Sequence, residues 1–243
     1  MYKMICFYGI ILILKNKVVI QIKRLNIFID ESGDFGFVNG SSDLYAVSFT
    51  FHDSKDLIES ELNYLNNKLD LIGYNGMIHL AYLVAKRGDY SHFNLEKRKS
   101  IFWTIFYFSS KVKVKIRTAI IDKKYINKKY QLNVALAREI SKVIDDNKEF
   151  LESYDKIVIY YDNGQETLGT IIDTLFSCFS NVERRVSFDH TRKRLFQVSD
   201  MLTVIDKLEY KRKNNLAFTK SEKYFFNGKD FRHIINLLKK KRI

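Results

Sequence analysis

The stretch "NIFIDESGDFGF", residues 26 to 37, places two adjacent carboxylates, Asp30 and Glu31, directly after an apolar run. The run is short and apolar enough for a buried strand, and the Ser-Gly-Asp that follows is typical of a turn. Residues 24 to 29 are therefore predicted to form a strand that ends at the acids. Two interpretations are open at this point: the acids belong to a surface turn, or the strand carries them into a site.

A second stretch repeats the arrangement. A predicted buried strand over residues 157 to 161 is followed by Asp162 and then by Asn-Gly, a common turn pair. Ligands collect beyond the carboxyl ends of strands in open α/β sheets, so Asp30 and Asp162 are expected to point into one crevice. A turn without a functional role is the alternative at both places.

A third acid, Asp200, lies in "LFQVSD", within a largely apolar stretch of predicted helix. An acid without a partner is costly in such surroundings, which favours either a site or a salt bridge. Gln197 stands three residues earlier on the same helix face and is a candidate to hold Asp200 by a hydrogen bond.

The order of predicted elements indicates the fold class. Residues 44 to 51 form a second strand, and residues 111 to 122 form a third, in which Lys or Arg alternates with Val and Ile to give one basic face. Helices and strands alternate from there on, which predicts an α/β fold with a mixed sheet flanked by helices. Residues 53 to 110, after the second strand, are predicted to be a helical insertion.

Composition predicts one domain. The chain has 243 residues with 46% hydrophobic residues, and it has no Pro and no linker or repeat. We expect a single domain over residues 25 to 243, preceded by an extension over residues 1 to 24.

The apolar run at residues 4 to 14 lacks a cleavage site and is too short to span a bilayer as a helix. An edge strand, an upstream extension and a membrane-targeting role remain open for it, and no stable membrane insertion is expected.

Charge and cysteine content point to the partner and the compartment. The two cysteines, Cys6 and Cys178, support neither a disulfide framework nor a zinc site, so a reducing cytoplasm is expected. The 41 Lys and Arg residues against 28 Asp and Glu residues give a net charge of +13, which favours RNA or DNA as a partner. A Lys-rich genome composition is the alternative explanation.

The expected basic rim around the acids comprises Lys111, Lys113, Lys115 and Arg117, or Lys193 and Arg194. The oligomeric state stays open.

Carboxylates at one locus require a counter-charge. A like pair about 4 Å apart costs roughly 1 kcal/mol in water and about 4 kcal/mol at an effective dielectric constant near 20. Mg²⁺ or Mn²⁺ relieves this repulsion because both ions prefer hard oxygen ligands. Two such ions can clamp the attacking and leaving oxygens of a phosphodiester. An acidic centre in a basic surround therefore predicts a metal-dependent nuclease that uses two ions.

Three segments resemble the signature blocks of the domain-of-unknown-function family 3800, which is grouped with the ribonuclease H-like fold. They are "IDESGDFG", "VIYYDNGQ" and "LFQVSDML", in this order, and "IHL", "IDKKYI" and "KSEKYFFNGKDF" are similar as well. The resemblance covers residues 25 to 243. It implies a ribonuclease H-like sheet in which Asp30 ends the first strand, Asp162 ends the fourth, and Asp200 lies on the last core helix.

The resemblance also implies roles for further residues. Glu31 follows the family pattern but starts on the opposite strand face, so it either bends into the site or caps the turn. Glu139 is the acid placed to match a glutamate that ribonuclease H-like enzymes often carry on the first core helix. Substrate contacts are expected from Ser32, Gly33, His79, Lys193 and Arg194, although His79 is equally suited to being a loop histidine with a local hydrogen bond.

The chain departs from the family pattern in two places. Ser199 stands where the family commonly has Ala, a small-for-small change that is expected to have no effect. The segment after His79 lacks a Gly-Pro pair, which puts the shape of that loop in doubt but not the acids.

Other functions are compatible with the same features. The main alternative to a nuclease is a catalytically inactive ribonuclease H-like module that binds nucleic acid or a partner protein. An ATP-binding relative is disfavoured because no Gly-rich phosphate loop follows the first strand. The aromatic stretch "FWTIFYF" is suited to base stacking, but its helical context favours packing.

Overall fold

The structure is a computed structural model, and it describes the backbone of residues 6–7, 10–13, 18–37, 41–185 and 190–243. Side chains are described for residues 22–37, 41–185 and 194–243. Three short strands come first, β1 (Cys6–Phe7), β2 (Ile10–Ile13) and β3 (Val18–Gln21), and they pair with one another in a separate antiparallel sheet. The other residues of the predicted extension before position 18 lie outside the described part. No helix in the described ranges is long and apolar enough to cross a bilayer.

A five-stranded sheet forms the centre of the molecule. Its strands are β4 (Arg24–Ser32), β5 (Leu44–Asp53), β6 (Lys115–Asp122), β7 (Lys156–Tyr160) and β8 (Val182–Arg185), in the spatial order β6-β5-β4-β7-β8. The first three strands in the chain are antiparallel, whereas β7 and β8 run parallel to β4. A mixed sheet with this order and these directions is the ribonuclease H-like arrangement. The predicted fold class is confirmed.

Helices cover both faces of this sheet. Between β5 and β6 lie α1 (Glu59–Ile72), α2 (Leu80–Ala85) and α3 (Leu95–Lys111), which make up the helical insertion. The later helices are α4 (Lys129–Asp146), α5 (Lys148–Glu152), α6 (Glu166–Phe176), α7 (His190–Lys213), α8 (Lys220–Phe225) and α9 (Gly228–Lys239).

Alternation along β4 divides the core into two layers. Ile27 and Ile29 pack on one face with residues of α4 and α6. Phe28 packs on the other face with residues of α7 and of the insertion. Successive strand residues point to opposite faces, so Asp30 lies on the side of α7 and Glu31 starts on the side of α4.

Buried hydroxyl groups fix α7 on the sheet. The Ser199 Oγ donates to the Phe28 carbonyl at 2.9 Å and also lies 2.8 Å from the Thr50 hydroxyl. The Ser48 hydroxyl donates to the Ser199 carbonyl at 2.7 Å. Ser199 was expected to be interchangeable with Ala, but here its hydroxyl joins the helix to β4 and β5, one residue before Asp200.

Two strand boundaries differ from the prediction by three residues or more. β4 continues past residue 29 to Ser32, because Asp30, Glu31 and Ser32 still pair with β5. The basic strand begins at Lys115 and not at Lys111, because α3 extends through Lys111. Both acids of the opening stretch therefore belong to the strand itself.

The C-terminal residues extend the β6 edge of the sheet. The Ile116 N–H donates to the Lys241 carbonyl, and the Ile243 N–H donates to the Ile116 carbonyl. Arg242 lies between these residues and forms ion pairs with Asp206, at 2.6 Å, and with Glu209, both on α7. Burial raises the pKa of Asp206 above its ordinary value, and the Arg242 charge opposes this rise.

We expect Arg242→Met to destabilise the protein by about 3–5 kcal/mol at pH 7, because the buried Asp206 loses its cation and the buried Glu209 is left with Lys213 alone. The penalty should be largely lost by about pH 3, because the lowered pKa of Glu209 keeps this carboxylate charged in the folded state below its ordinary value. Urea unfolding at the two pH values measures the effect. Arg232→Met, at an exposed position on α9, is the matched control. An equal loss in both variants would contradict the assignment.

Candidate active site

The parallel pairing of β4 with β7 brings two acids to one edge of the sheet. Phe28 is in register with Tyr160, the last residue of β7, and the two rings stack with centroids 4.9 Å apart. Asp30 follows Phe28 by two residues on β4, and Asp162 follows Tyr160 by two residues in the chain. Both acids therefore lie beyond the same end of neighbouring strands.

Asp30 is the most buried of these acids and carries the largest electrostatic penalty. Burial raises the pKa of Asp30 well above its ordinary value, and the charges of Asp200, Glu31 and Asp162 raise this pKa further. The Glu31 N–H donates to the Asp30 Oδ1 at 2.9 Å and opposes the rise. Among the described residues, no Lys or Arg forms an ion pair with Asp30, so the carboxylate lacks a counter-charge.

Glu31 lies against the turn that carries Asp162. A Cβ on Gly164 would lie 2.6 Å from the Glu31 Oε1 and 3.4 Å from the Asp162 Oδ1, so a larger residue there would displace the Glu31 carboxylate. Burial, followed by the Asp162 charge, raises the pKa of Glu31 to about 7, and the Tyr161 hydroxyl acts against this rise. The Glu31 Oε2 is buried and has no hydrogen-bond partner.

A residue that sequence analysis missed, Arg184, fixes the Asp162 turn. Asn163 adopts a left-handed conformation with φ of 64°, and the Arg184 guanidinium donates to its side-chain oxygen. The same guanidinium donates to the Gly169 carbonyl at 3.1 Å and lies 5.3 Å from the centre of the Tyr161 ring. Arg184 is on β8, whose register with β7 places it at the acidic end of the sheet. The only sequence signal was an Arg-Arg pair near the end of the next strand.

The insertion holds Asp200 from the other side. The Leu80 N–H, at the start of α2, donates to the Asp200 Oδ2 at 2.6 Å. The His79 Nδ1 lies 3.9 Å from the Asp200 Oδ1, and the interaction with Asp200 raises the pKa of His79. His79 therefore contacts the acid and is not merely a loop histidine with a local hydrogen bond.

The expected hydrogen bond from Gln197 to Asp200 was wrong. The Gln197 Oε1 accepts from Arg194 at 3.0 Å, and its Nε2 lies 2.9 Å from the Met77 sulfur. Arg194 also bonds to Asn66 of α1 and to the Gly76 carbonyl. The Arg194 side chain is thus hydrogen-bonded to the insertion and to Gln197. Arg194 itself lies about 9 Å along the helix from Asp200. The Lys193 side chain lies outside the described part of the chain.

Gly33 and Ser32, which were expected to contact substrate, both have structural roles in the turn after β4. Gly33 has φ of 126°, and a Cβ there would lie 2.7 Å from the Leu44 carbonyl oxygen, so the backbone by itself requires glycine. The Ser32 hydroxyl accepts from the Lys207 ammonium at 2.7 Å. Lys207 was not among the residues singled out in the sequence, although it stands seven residues after Asp200.

Glu139, which was expected to match a further acid of the site, has ion-pair partners of its own. Glu139 lies on α4 and pairs with Lys142 at 2.7 Å and with Arg138, on the opposite face of the sheet from Asp30. Its carboxylate is therefore paired with two cations of its own helix, in contrast to Asp30.

The basic strand does not form the expected rim. Lys115 is in register with Phe51 and through it with Ile27, whereas Asp30 aligns with Ser48 and Thr118. The basic residues also have local partners: Lys113 pairs with Asp56, Lys115 lies over the Phe150 ring, and Arg117 pairs with Asp146. Lys111, the last residue of α3, lines a groove beside Trp103 and Tyr107.

The donor set fits a hard divalent cation in its chemistry. No group of three or more His, Cys, Asp or Glu side chains in the described ranges forms a ready-made metal cluster. The four acids nevertheless include a buried Asp30 without a counter-charge and a buried Glu31 oxygen without a partner. Carboxylates that lie near one another repel, and a cation would remove the repulsion. The chemistry of these donors therefore fits magnesium or manganese.

Comparisons with known proteins leave the family open. No family model matches the chain, and no curated protein matches it in sequence. A chain of the solved complex of PCNA with RNase HII from Archaeoglobus fulgidus is similar in structure, with 11% identity, 87% of each chain covered and a TM-score of 0.39. A likeness this weak adds nothing to what the strand order shows.

We expect Asp30→Asn to stabilise the metal-free protein at pH 7 by about 1–3 kcal/mol, because the raised pKa means that the folded state disfavours the charged carboxylate. The gain should be present above the ordinary value of 3.8 and should vanish as the pH falls below it, since both states are then protonated. Urea unfolding in chelator at pH 7 and at low pH measures it. Asp162→Asn, at an exposed acid, should change stability less, and a loss of stability in Asp30→Asn would contradict the analysis.

Proposed function

We propose that the protein is a metal-dependent nuclease that hydrolyses phosphodiester bonds with Asp30, Glu31, Asp162 and Asp200 as its acidic centre. The observation that carries the proposal is the gathering of these acids beyond one end of β4 and β7, where no Lys or Arg of the described ranges forms an ion pair with Asp30 or Glu31. Burying such acids together is costly unless a cation joins them. The resemblance to the domain-of-unknown-function family 3800 supports the same assignment of residues.

Mg²⁺ or Mn²⁺ is the cofactor that this donor set suits, and when two ions are bound they supply water activation and charge stabilisation for phosphodiester hydrolysis. Asp30 and Asp162, one from each parallel strand, would hold the ions. Asp200 would complete the shell directly or through water, held in place by the Leu80 N–H. Glu31 would contribute the oxygen that now has no partner.

Two further groups would handle the substrate. His79 is half exposed and turns its Nδ1 toward Asp200, which leaves its other ring nitrogen for a phosphate oxygen or for the proton needed by the leaving oxygen. The net charge of +13 favours a polyanionic substrate, RNA or DNA. A cytoplasmic location and a role in mobile-element or phage-defence biology are consistent with the family resemblance.

The alternative is a catalytically inactive ribonuclease H-like module that binds nucleic acid or a partner protein. The absence of a ready-made cluster of metal ligands in the described residues favours this alternative. The presence of Asp30, Asp162 and Asp200 together favours the enzyme. The hydrogen bond from the Leu80 N–H that holds Asp200 favours it as well.

We expect the parent chain to cleave at least one of single-stranded DNA, single-stranded RNA, duplex DNA or an RNA–DNA hybrid with Mg²⁺ or Mn²⁺, and none with chelator. Asp30→Asn and Asp162→Asn should each lower cleavage about a hundredfold or more, because each removes a ligand charge while keeping the side-chain size. Glu139→Gln is the matched control and should cleave like the parent, since Glu139 is already paired with Lys142 and Arg138. Cleavage that survives chelator, or that is equal in the Asp30 variant, would refute the mechanism.

A binding measurement tests the metal site without activity. Mn²⁺ at about 100-fold above its Kd should stabilise the fold by about 2.7 kcal/mol, seen as a rise in Tm. The rise should be larger at pH 8 than at pH 6, because Glu31, with its pKa of about 7, must lose its proton to become a ligand. Asp30→Asn should lose the rise and Glu139→Gln should keep it. A rise of equal size in both variants would place the ion elsewhere.

A further inference from the structure

Lys207 is a largely buried cation next to the acidic centre. It lies on α7 seven residues after Asp200, which is two helical turns, so both side chains leave the same helix face. Helical side chains lean toward the helix N-terminus, and this brings the ammonium back toward Asp200. The Nζ donates to the Ser32 hydroxyl at 2.7 Å. Ser32 follows Asp30 by two residues and leaves β4 on the same face.

The charge environment of Lys207 is unusual. Among the described residues no carboxylate forms an ion pair with it, whereas its neighbour Lys211 bonds to both carboxylate oxygens of Glu222 at 2.8 and 2.9 Å. Burial, followed by the Lys211 charge, lowers the pKa of Lys207 to about 8, and the charges of Glu222, Asp200 and Asp34 oppose this fall. Among the described residues the ammonium is therefore largely shielded from water without a direct counter-ion, which is uncommon for a lysine.

A nuclease with this acidic centre needs such a cation. Four carboxylates repel an entering phosphate, and the basic residues of β6 do not offset them, because Lys115 aligns with Ile27 and Arg117 is paired with Asp146. An ammonium has three N–H donors, and among the described residues only the Ser32 hydroxyl takes one. The other two remain for an anion, and Lys binds phosphate as a point charge.

We propose that Lys207 contacts the substrate, with its ammonium held at Ser32 and binding a non-bridging oxygen of the phosphate that enters among Asp30, Asp162 and Asp200. The inference rests on the proposed nuclease function and adds a substrate-binding residue to it. In this role the Lys207 ammonium binds the substrate and does not only brace the end of β4 through its bond to Ser32.

The test measures nucleic-acid binding without cleavage. All variants are made in the full-length Asp30→Asn chain and kept in chelator, and short fluorescein-labelled single-stranded DNA, RNA and hybrid probes are titrated by anisotropy over a range of salt concentrations. Lys207→Gln removes the charge but keeps a donor for Ser32, and Lys207→Arg keeps the charge. Lys211→Gln is the matched control, because it removes a charge one turn further along the same helix.

We expect Lys207→Gln to bind about tenfold more weakly than the Asp30→Asn chain, and to lower the slope of log K against log salt by about 0.7 to 0.9, the value for one phosphate contact. Lys207→Arg should restore most of the slope. Lys211→Gln should change the slope by clearly less, since that ammonium is already paired with Glu222.

Four outcomes would overturn the inference. An unchanged slope in Lys207→Gln would mean that the residue only braces Ser32, and an equal fall in Lys211→Gln would mean a general charge effect. A Tm of Lys207→Gln far below that of the Asp30→Asn chain would make the residue structural. These three leave the nuclease proposal standing, whereas failure of the Asp30→Asn chain to bind any of the probes would overturn both proposals.

Discussion

Parallel pairing of β4 with β7 is the constraint on which the candidate site depends. The register of Phe28 with Tyr160 brings the carboxyl ends of both strands to one edge, and the acids follow directly. The hydroxyl of Ser199 then fixes α7 across β4 and β5, so that the next residue, Asp200, meets the acids from the helix side. Without these two contacts the acids would be unrelated surface residues.

The electrostatic environment of the site disfavours the charged forms of its own acids. Burial and mutual repulsion raise the pKa values of Asp30 and Glu31, which means that the fold holds both charges under conditions that disfavour them. Proteins keep such arrangements where function requires them, and a shared cation is the simplest remedy. The same principle explains the contrast with Asp206 and Glu209, which are also buried but have Arg242 between them.

Basic residues have distinct roles in this molecule. Arg184 shapes the Asp162 turn, and Arg242 neutralises two acids at the sheet edge. The Lys and Arg residues of β6 pair with nearby acids or aromatic rings. Among these examples, Lys207 has a hydroxyl and not a carboxylate as its partner in the described part of the chain, next to the acidic centre. A net positive charge therefore says little about where an anion binds, because local pairing decides which cations remain available.

The sequence by itself determined the fold class and singled out Asp30, Asp162 and Asp200 as candidate site residues, because short-range patterns and short motifs carry that information. Apolar runs that end in Asp predict strand ends, and an acid in an apolar helix predicts a partner. Only the tertiary structure decided which other residues join them. Arg184, Leu80 and Lys207 reach the site through strand register and helix packing, contacts between residues far apart in the chain that no local pattern encodes. Glu139 and the basic strand were misplaced for the same reason: periodicity shows that a residue lies on a polar face, but sheet order decides which end and which side of the molecule that face occupies.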